Sequence, residues 1–141
     1  MNPLQFTVES LTEFLHGVYP QTAALIQIEA LAPMESVLQM KIDEDSLRPG
    51  GTVSGPAMFT IADCAFYCAL LAVIGPESLA VTSNLSINFL RKPDPVDLVG
   101  HARILKLGRH LAMGDCTIYS KGDDQPVAHA SITYSIPHNN A

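Results

Sequence analysis

The sequence predicts an α+β fold in which an antiparallel sheet of five to six strands wraps around one long central helix. The first observation is the stretch SGPAMFTIADCAFYCALLAVIG, residues 54–75, which is apolar almost throughout. The second is the alternation of apolar and polar residues on both sides of it, which is typical of strands. Long antiparallel strands bury one face, and the central helix is the only element apolar enough to cover them. The chain of 141 residues can bury one core, and we expect a single domain over residues 1–141.

The N-terminal part predicts a helix followed by a hairpin. Apolar residues recur at helical spacing over residues 7–18, and Gly17 and Pro20 are predicted to end this helix. The next segments, ALIQIEALAP and ESVLQMKID, alternate apolar with polar residues. We therefore expect two strands joined by a tight turn around Pro33.

The apolar stretch carries helix signals at both of its ends. Ser54 is a candidate N-cap, Pro56 lies in the first turn where its missing N–H costs little, and Gly75-Pro76 ends the helix. Four strand segments follow in series: LAVTSNLSINFLRK, VDLVGHARILKLG, RHLAMGDCTIYSKG and PVAHASITYSIP. Hairpin turns are expected at Gly108-Arg109 and at residues 122–124.

The composition argues against several classes of protein. A net charge of −6 and a pI of about 5.1 are unfavourable for a general binder of nucleic acid or of anionic membranes. About 20 apolar residues can span a bilayer. However, Asp63 lies near the middle of the stretch and would cost about 2.5–3.5 kcal/mol there, so we expect a buried core helix. The N-terminus lacks the basic segment of a secretory signal, and we expect a cytoplasmic protein.

Metal and nucleotide motifs are missing from the sequence. The three cysteines, Cys64, Cys68 and Cys116, have no paired metal spacing, and we expect them to be small buried side chains. The five histidines are scattered, so no metal site is expected. No phosphate-binding loop, dinucleotide fingerprint or GxSxG elbow occurs.

The order of the elements, with SGPAMFTIADCAFYCALL followed by VTSNLSINFLRKP, resembles the hotdog-fold acyl-CoA thioesterases, in particular the PaaI-like branch. The resemblance covers nearly the whole chain. It implies hydrolysis of a CoA thioester to free acid and CoA, with no cofactor beyond the CoA of the substrate. It also implies that Asp63 acts as general base or nucleophile, that the backbone N–H of Gly55 polarises the carbonyl, and that Thr82 helps to position water.

The chain departs from the family pattern at three positions before and at the start of the helix. The family typically has a His-Gly-Gly motif, at which this chain has Ser54, Gly55 and Pro56. The polar amide of the preceding loop falls near Arg48, which does not match it. Because Pro56 has no N–H, the oxyanion must rely on the amide of Gly55, with that of Ala57 as a second candidate.

The residues themselves support a chemical interpretation of Asp63. Thioester hydrolysis needs an activated water or a nucleophile, together with a donor for the developing oxyanion. A helix N-terminus offers unpaired N–H groups, and a poorly solvated carboxylate is a stronger base than one in water. Gly55 and Asp63 are eight residues apart, which is about 12 Å along a helix. We therefore expect a twofold homodimer, or a dimer of dimers, with Gly55 from one subunit and Asp63 from the other at each site.

Each candidate also has an ordinary structural explanation. Asp63 could merely bond a neighbouring group such as Tyr67, and Thr82 is common in strands. Ser54 is a candidate for contact with the substrate, but it could be no more than an N-cap. The phosphates of CoA need cationic contacts, and the candidates are Arg91, Lys92, Lys106 and Arg109. The acyl group is expected among four apolar residues that could equally be core: Met58, Phe59, Phe66 and Phe89.

Two other functions stay open at this point. The missing histidine and loop amide fit a non-catalytic acyl-CoA or fatty-acyl binding protein that kept the pocket. A hotdog hydratase or dehydratase is less consistent with Ser54, because those relatives usually combine a histidine with an acid.

Overall fold

The computed structural model describes residues 2–137, in which six strands form one sheet around a long helix. The elements in chain order are α1 (Val8–Val18), α2 (Pro20–Ala23), β1 (Ile26–Ala32), β2 (Glu35–Met40), a short 3-10 turn (Glu44–Ser46), α3 (Gly55–Ile74), β3 (Val81–Phe89), β4 (Leu98–Leu107), β5 (Leu111–Ser120) and β6 (Pro126–Ser135). The predicted long helix and the six predicted strands are confirmed.

The sheet is antiparallel throughout, with the strand order β1-β2-β4-β5-β6-β3. The strand β3 therefore lies at one edge, although it follows α3 directly in the chain. A two-residue turn joins β1 to β2, with Pro33 at its first position and Met34 at φ 70°. Proline and a residue with positive φ are the features of a type II turn, which confirms the predicted turn.

The helix α1 differs from its prediction at the C-terminal end. Thr7 caps its N-terminus by accepting a hydrogen bond from the Ser10 N–H, and Leu11 and Leu15 are its buried residues. Gly17 lies inside the helix and does not end it. Pro20 begins α2, because a proline in the first turn loses no hydrogen bond.

The helix α3 is capped by Ser54, whose Oγ accepts a hydrogen bond from the Ala57 N–H at 3.3 Å. It ends at Gly75, which has a φ of 92°. Its length and hydropathy would suffice to cross a membrane, but most of it is buried under the sheet, as a core helix is. The three cysteines are free thiols and buried, as expected.

Close contacts hold α3 against the sheet. A Cβ placed on Gly100 of β4 would lie 2.9 Å from the Ile61 side chain, so glycine is what lets the helix approach this strand. The buried hydroxyl of Ser36 on β2 donates a 2.6 Å hydrogen bond to the Ala65 carbonyl of α3. The helix is thus fixed in position and rotation relative to β2 and β4 in the middle of the sheet.

Candidate functional site

Asp63 lies on the stripe of α3 that reaches the surface. The stripe consists of Pro56, Phe59, Thr60 and Asp63, which are spaced at three, four and seven residues and therefore share one face of the helix. Every residue of the helix from 64 to 73 is buried. The carboxylate is half-buried at the inner end of this open stripe.

Two hydroxyl groups hold the same oxygen of the Asp63 carboxylate. The Thr82 hydroxyl on β3 donates a hydrogen bond to Asp63 Oδ1. The Tyr134 hydroxyl on β6 donates to Oδ1 at 2.8 Å and also lies 3.3 Å from the Asp63 carbonyl oxygen. Oδ2 accepts no hydrogen bond from any residue in the range 2–137.

The strand β3 is irregular at the point where it meets Asp63. Its register with β6 shifts between Thr82 and Asn84, so that Ser83 is an extra residue. A bulge of this kind turns the neighbouring side chain out of the regular alternation. The bulge therefore explains how Thr82, on an edge strand, comes to bond the central helix.

A cavity of about 380 Å³ opens beside Asp63, and we call it the Asp63 cavity. Its walls include three tyrosines, Tyr19, Tyr67 and Tyr134, which lie in a row with successive ring centroids 6.4 and 6.1 Å apart. None of its lining residues is a lysine or an arginine. The site is therefore shaped for an uncharged, partly apolar group.

The hydroxyls of Tyr67 and Tyr134 in this cavity remain protonated donors. Burial raises the pKa of Tyr67 to about 12, and its hydroxyl donates to the Ser78 carbonyl at 2.9 Å. Burial, and then the neighbouring charge of Asp63, raises the pKa of Tyr134 well above its usual range. Tyr134 consequently stays a hydrogen-bond donor to Asp63 throughout the physiological pH range.

The N-terminus of α3 offers one free amide. The Gly55 N–H has no acceptor among residues 2–137, whereas the Ala57 N–H is taken by Ser54 Oγ and the Met58 N–H by the Ser54 carbonyl. Pro56 has no N–H to give. Ala57, the second candidate donor, is thus already occupied, and Gly55 remains.

A second cavity, of about 340 Å³, surrounds this amide, and we call it the Gly55 cavity. Three cations line it, Arg48, Arg91 and Lys92, and its lining includes no carboxylate. The Arg91 guanidinium donates to the Gln125 side chain at 2.8 Å. The Phe89 ring covers Gly55, at 3.2 Å from the position that a Cβ would occupy. This arrangement suits an anionic ligand next to a free amide.

The other predicted residues lie in several separate parts of the structure. Met58 is buried and lines the Gly55 cavity, Phe59 is 42% exposed on the open stripe, and Phe66 is fully buried in the core. Arg109 and Lys106 lie at the β4–β5 hairpin. This hairpin is near the start of β3, because Leu111, the first residue of β5, and Val81, the first residue of β3, both pair with Ser135 of β6. Arg91 and Lys92 follow the opposite end of β3. One chain therefore does not gather the four cations, and it holds Asp63 and Gly55 in separate cavities.

Sequence reasoning missed Tyr134 and the position of Arg48. A signal for Tyr134 existed, since the alternation of β6 puts it on the same face as Ala128, Ala130 and Ile132. A phenolic hydroxyl on such an apolar face needs a hydrogen-bond partner, and Asp63, the acidic residue of the apolar helix, needs a donor. Arg48 gave no signal, because an exposed loop arginine has no periodicity. Within residues 2–137 no cluster of three or more potential metal ligands occurs.

Comparisons with known proteins agree with this architecture. Residues 50–127 match the family described as the thioesterase superfamily. A Pseudomonas aeruginosa protein named "Putative esterase PA0474" is 30% identical over 107 residues, covering 75% of this chain and 78% of that one.

Two solved structures extend the similarity to nearly the whole chain. A crystal structure described as a "putative thioesterase" from Silicibacter sp. TM1040 is 48% identical, covers 96% of this chain and 94% of that one, and has a TM-score of 0.88. A mutant of the phenylacetic acid degradation protein PaaI from Thermus thermophilus is 25% identical, covers 84% and 99%, and has a TM-score of 0.71. The similarities confirm the hotdog fold, and the chain belongs to the thioesterase superfamily.

Proposed function

We propose that the protein is an acyl-CoA thioesterase that uses Asp63 and the Gly55 amide. Membership of the superfamily supports thioester hydrolysis in general. The observation that carries the specific proposal is the Asp63 carboxylate, which is anchored through one oxygen and open at the other beside a cavity. An oxygen with no protein donor that faces a cavity is free to take a proton from water or to attack a carbonyl, as a general base or a nucleophile must be.

Two routes fit this geometry. As a general base, Asp63 Oδ2 takes a proton from water, and the hydroxide adds to the thioester carbonyl. The C–S bond then breaks, the Asp63 carboxyl returns its proton to the CoA thiolate, and CoA and the free acid are released. As a nucleophile, Oδ2 attacks the carbonyl itself, CoA leaves, and water then hydrolyses the mixed anhydride. In both routes the Gly55 N–H donates to the oxyanion at the positive end of α3.

A second subunit completes the site in this proposal. Asp63 and Gly55 of one chain are about 12 Å apart along the helix and belong to different cavities. The edge strand β3 has nine residues, and its exposed side chains include Val81 and Phe89. Two such edges pair readily. Antiparallel pairing about the middle of β3 would bring the Thr82 end of one strand to the Phe89 end of its partner, and so Asp63 towards the partner's Gly55.

The cations of the Gly55 cavity are the proposed contacts for the CoA phosphates. Arg48, Arg91 and Lys92 line one cavity without a carboxylate to neutralise them, although the protein as a whole carries a charge of −6. Arginine and lysine are the usual phosphate ligands. Arg109 lies at the other end of the sheet and would join the same substrate only from the partner subunit.

The test is thiol release from a panel of acyl-CoA substrates, with the Asp63→Asn variant beside the wild type. We expect the variant to lose about 10²–10⁴-fold in rate, the usual contribution of a general base. Asp124→Asn, at the exposed tip of the β5–β6 turn, is the matched control and should keep wild-type activity.

The result would also distinguish the alternative function. Tight binding of an acyl-CoA by the wild type without any thiol release would contradict the proposal. It would favour an acyl-CoA binding protein, with which the replacement of the family histidine by Ser54 is consistent. Full turnover by Asp63→Asn would rule out the assigned role of Asp63.

A further inference from the structure

Tyr134 is a buried polar group that is packed tightly beside Asp63. It is 3% exposed, and its ring packs against those of Phe66 and Tyr67, with centroid distances of 5.4 and 6.1 Å. A buried tyrosine ring in contact with two other rings has little rotamer freedom, so its hydroxyl has a well-defined position. In that position it lies 2.8 Å from Asp63 Oδ1.

The second donor, Thr82, approaches the same oxygen from another strand. A threonine hydroxyl has a single hydrogen, and the bond to Asp63 uses it. Tyr134 and Thr82 thus both direct their hydrogens to Oδ1, from β6 and from the bulge of the edge strand β3. Two donors from different elements fix the plane of a carboxylate better than one.

The consequence is a carboxylate with two unequal oxygens. Every buried side-chain nitrogen or oxygen in residues 2–137 has a hydrogen-bond partner. Asp63 Oδ2 has no such partner in this range, and it is therefore not a buried atom but one accessible to solvent. Asp63 lines the cavity that the tyrosines border. Anchoring Oδ1 therefore leaves Oδ2 as the oxygen that meets water or substrate.

We infer that Tyr134 is a positioning residue, which together with Thr82 anchors Asp63 through Oδ1 and so directs Oδ2 to the reacting carbonyl. This inference rests on the proposed thioesterase function. Tyr134 acts through Asp63 and not on the substrate. Thr82 belongs to the same anchor and does not donate a hydrogen to water.

The aromatic row in the cavity provides a matched control. Tyr67 is a neighbouring buried tyrosine, packed against Tyr134, but its hydroxyl donates to the Ser78 carbonyl and does not bond Asp63. Phenylalanine at either position removes one buried hydroxyl and keeps the ring. A difference between Tyr134→Phe and Tyr67→Phe therefore reports on the bond to Asp63 and not on packing.

The experiment measures kcat and KM for thiol release from the best acyl-CoA of the panel. Tyr134→Phe should lower kcat about tenfold, with KM within about twofold, because a hydrogen bond to a charged group is lost while the cavity wall remains. Tyr67→Phe should lower kcat clearly less than Tyr134→Phe does, because the hydroxyl that it removes bonds the Ser78 carbonyl and not Asp63. Thr82→Val combined with Tyr134→Phe should lower kcat by more than the product of the two single effects, because the second loss frees the carboxylate entirely.

Wild-type kcat in Tyr134→Phe, or equal losses in Tyr134→Phe and Tyr67→Phe, would overturn the inference. A crystal structure of Tyr134→Phe gives a readout that needs no turnover. We expect the Asp63 carboxylate to occupy more than one orientation, and a single unchanged orientation would also overturn the inference. An inactive wild type would instead contradict the proposed function, and the crystal structure would still decide the role of Tyr134.

Discussion

Gly114 lies where two strands and the core helix come closest together. A Cβ at this position on β5 would overlap the Arg103 carbonyl oxygen, and it would lie 2.9 Å from the Ile104 Cα and 2.8 Å from the Phe66 ring. The neighbouring strand β4 has a register shift between Ile104 and Lys106, so a bulge lies beside the Ile104–Gly114 pair. Phe66 also packs against Tyr134, so this glycine supports the anchor of Asp63 indirectly.

We predict that Gly114→Ala lowers the free energy of unfolding by about 3 kcal/mol, the upper end for overpacking, because two of the three contacts are backbone atoms that cannot yield. Gly17→Ala is the control, because nothing lies within 4 Å of the position that a Cβ would occupy in α1. Alanine should raise the free energy of unfolding by about 0.5–1 kcal/mol there, since it favours the helix more than glycine does. Urea unfolding of both variants measures the two effects. An unchanged midpoint for Gly114→Ala would show that the two strands can separate at little cost.

At the scale of the elements, periodicity predicted which segments form strands but not which strands become neighbours. The long helix and the four C-terminal strands were predictable because their apolar patterns are long and regular. The bond between Tyr134 and Asp63 joins residues 71 apart and depends on β6 lying beside β3, which no local pattern encodes. The separation of Arg109 from Arg91 follows from the same strand order.

Asp97 illustrates a link between elements that the sequence pattern did not reveal. Its carboxylate, just before β4, accepts hydrogen bonds from the Ile42 N–H at 3.0 Å and from the Gln39 side chain at 2.9 Å. These bonds tie the end of β2 to the start of β4. The Ile42 N–H above all, helped by Gln39 and two nearby lysines, holds the pKa of Asp97 below its usual range.

A carboxyl group whose pKa is lowered by folding stabilises the protein above its unfolded pKa of about 3.9, and this contribution is lost as the pH falls through the folded value. We predict that Asp97→Asn lowers the free energy of unfolding by about 1 kcal/mol at pH 7. The difference from the wild type should shrink below about pH 4. Denaturant unfolding across this range tests it, with Asp124→Asn as a control. A difference that stays constant with pH would mean that the charge of Asp97 is irrelevant.

At the scale of the whole molecule, the two halves of the proposed chemistry lie on one continuous surface. The open stripe of α3 leads from the Gly55 end to Asp63, and Phe59 is 42% exposed in the middle of it. The edge strand β3 runs beside this stripe, with Thr82 near one end and Phe89 at the other. An exposed aromatic side chain such as Phe59 next to an unpaired strand edge is typical of a protein-interaction surface, and a second copy of the chain fits this surface with twofold symmetry.

Subunit complementation tests whether the site is shared between two chains. An Asp63→Asn chain retains the Gly55 amide. A Gly55→Val chain retains Asp63 but displaces the Phe89 ring from its place over residue 55, since a Cβ there would lie 3.2 Å from that ring. Each homodimer should be inactive. In a heterodimer, however, Gly55 of the first chain meets Asp63 of the second at one site, while the other site carries both defects.

Random pairing of equal amounts makes half of the dimers mixed, each with one intact site out of two, so the mixture should recover about a quarter of wild-type activity per chain. Thiol release after joint refolding measures this recovery, and differently tagged subunits report how many heterodimers form. The double variant Asp63→Asn/Gly55→Val, refolded with Asp63→Asn, is the control and should stay inactive, because neither chain then supplies the carboxylate. If tagged heterodimers form and no activity returns, each chain must work with its own two groups, and the twofold geometry proposed for this enzyme would have to be abandoned.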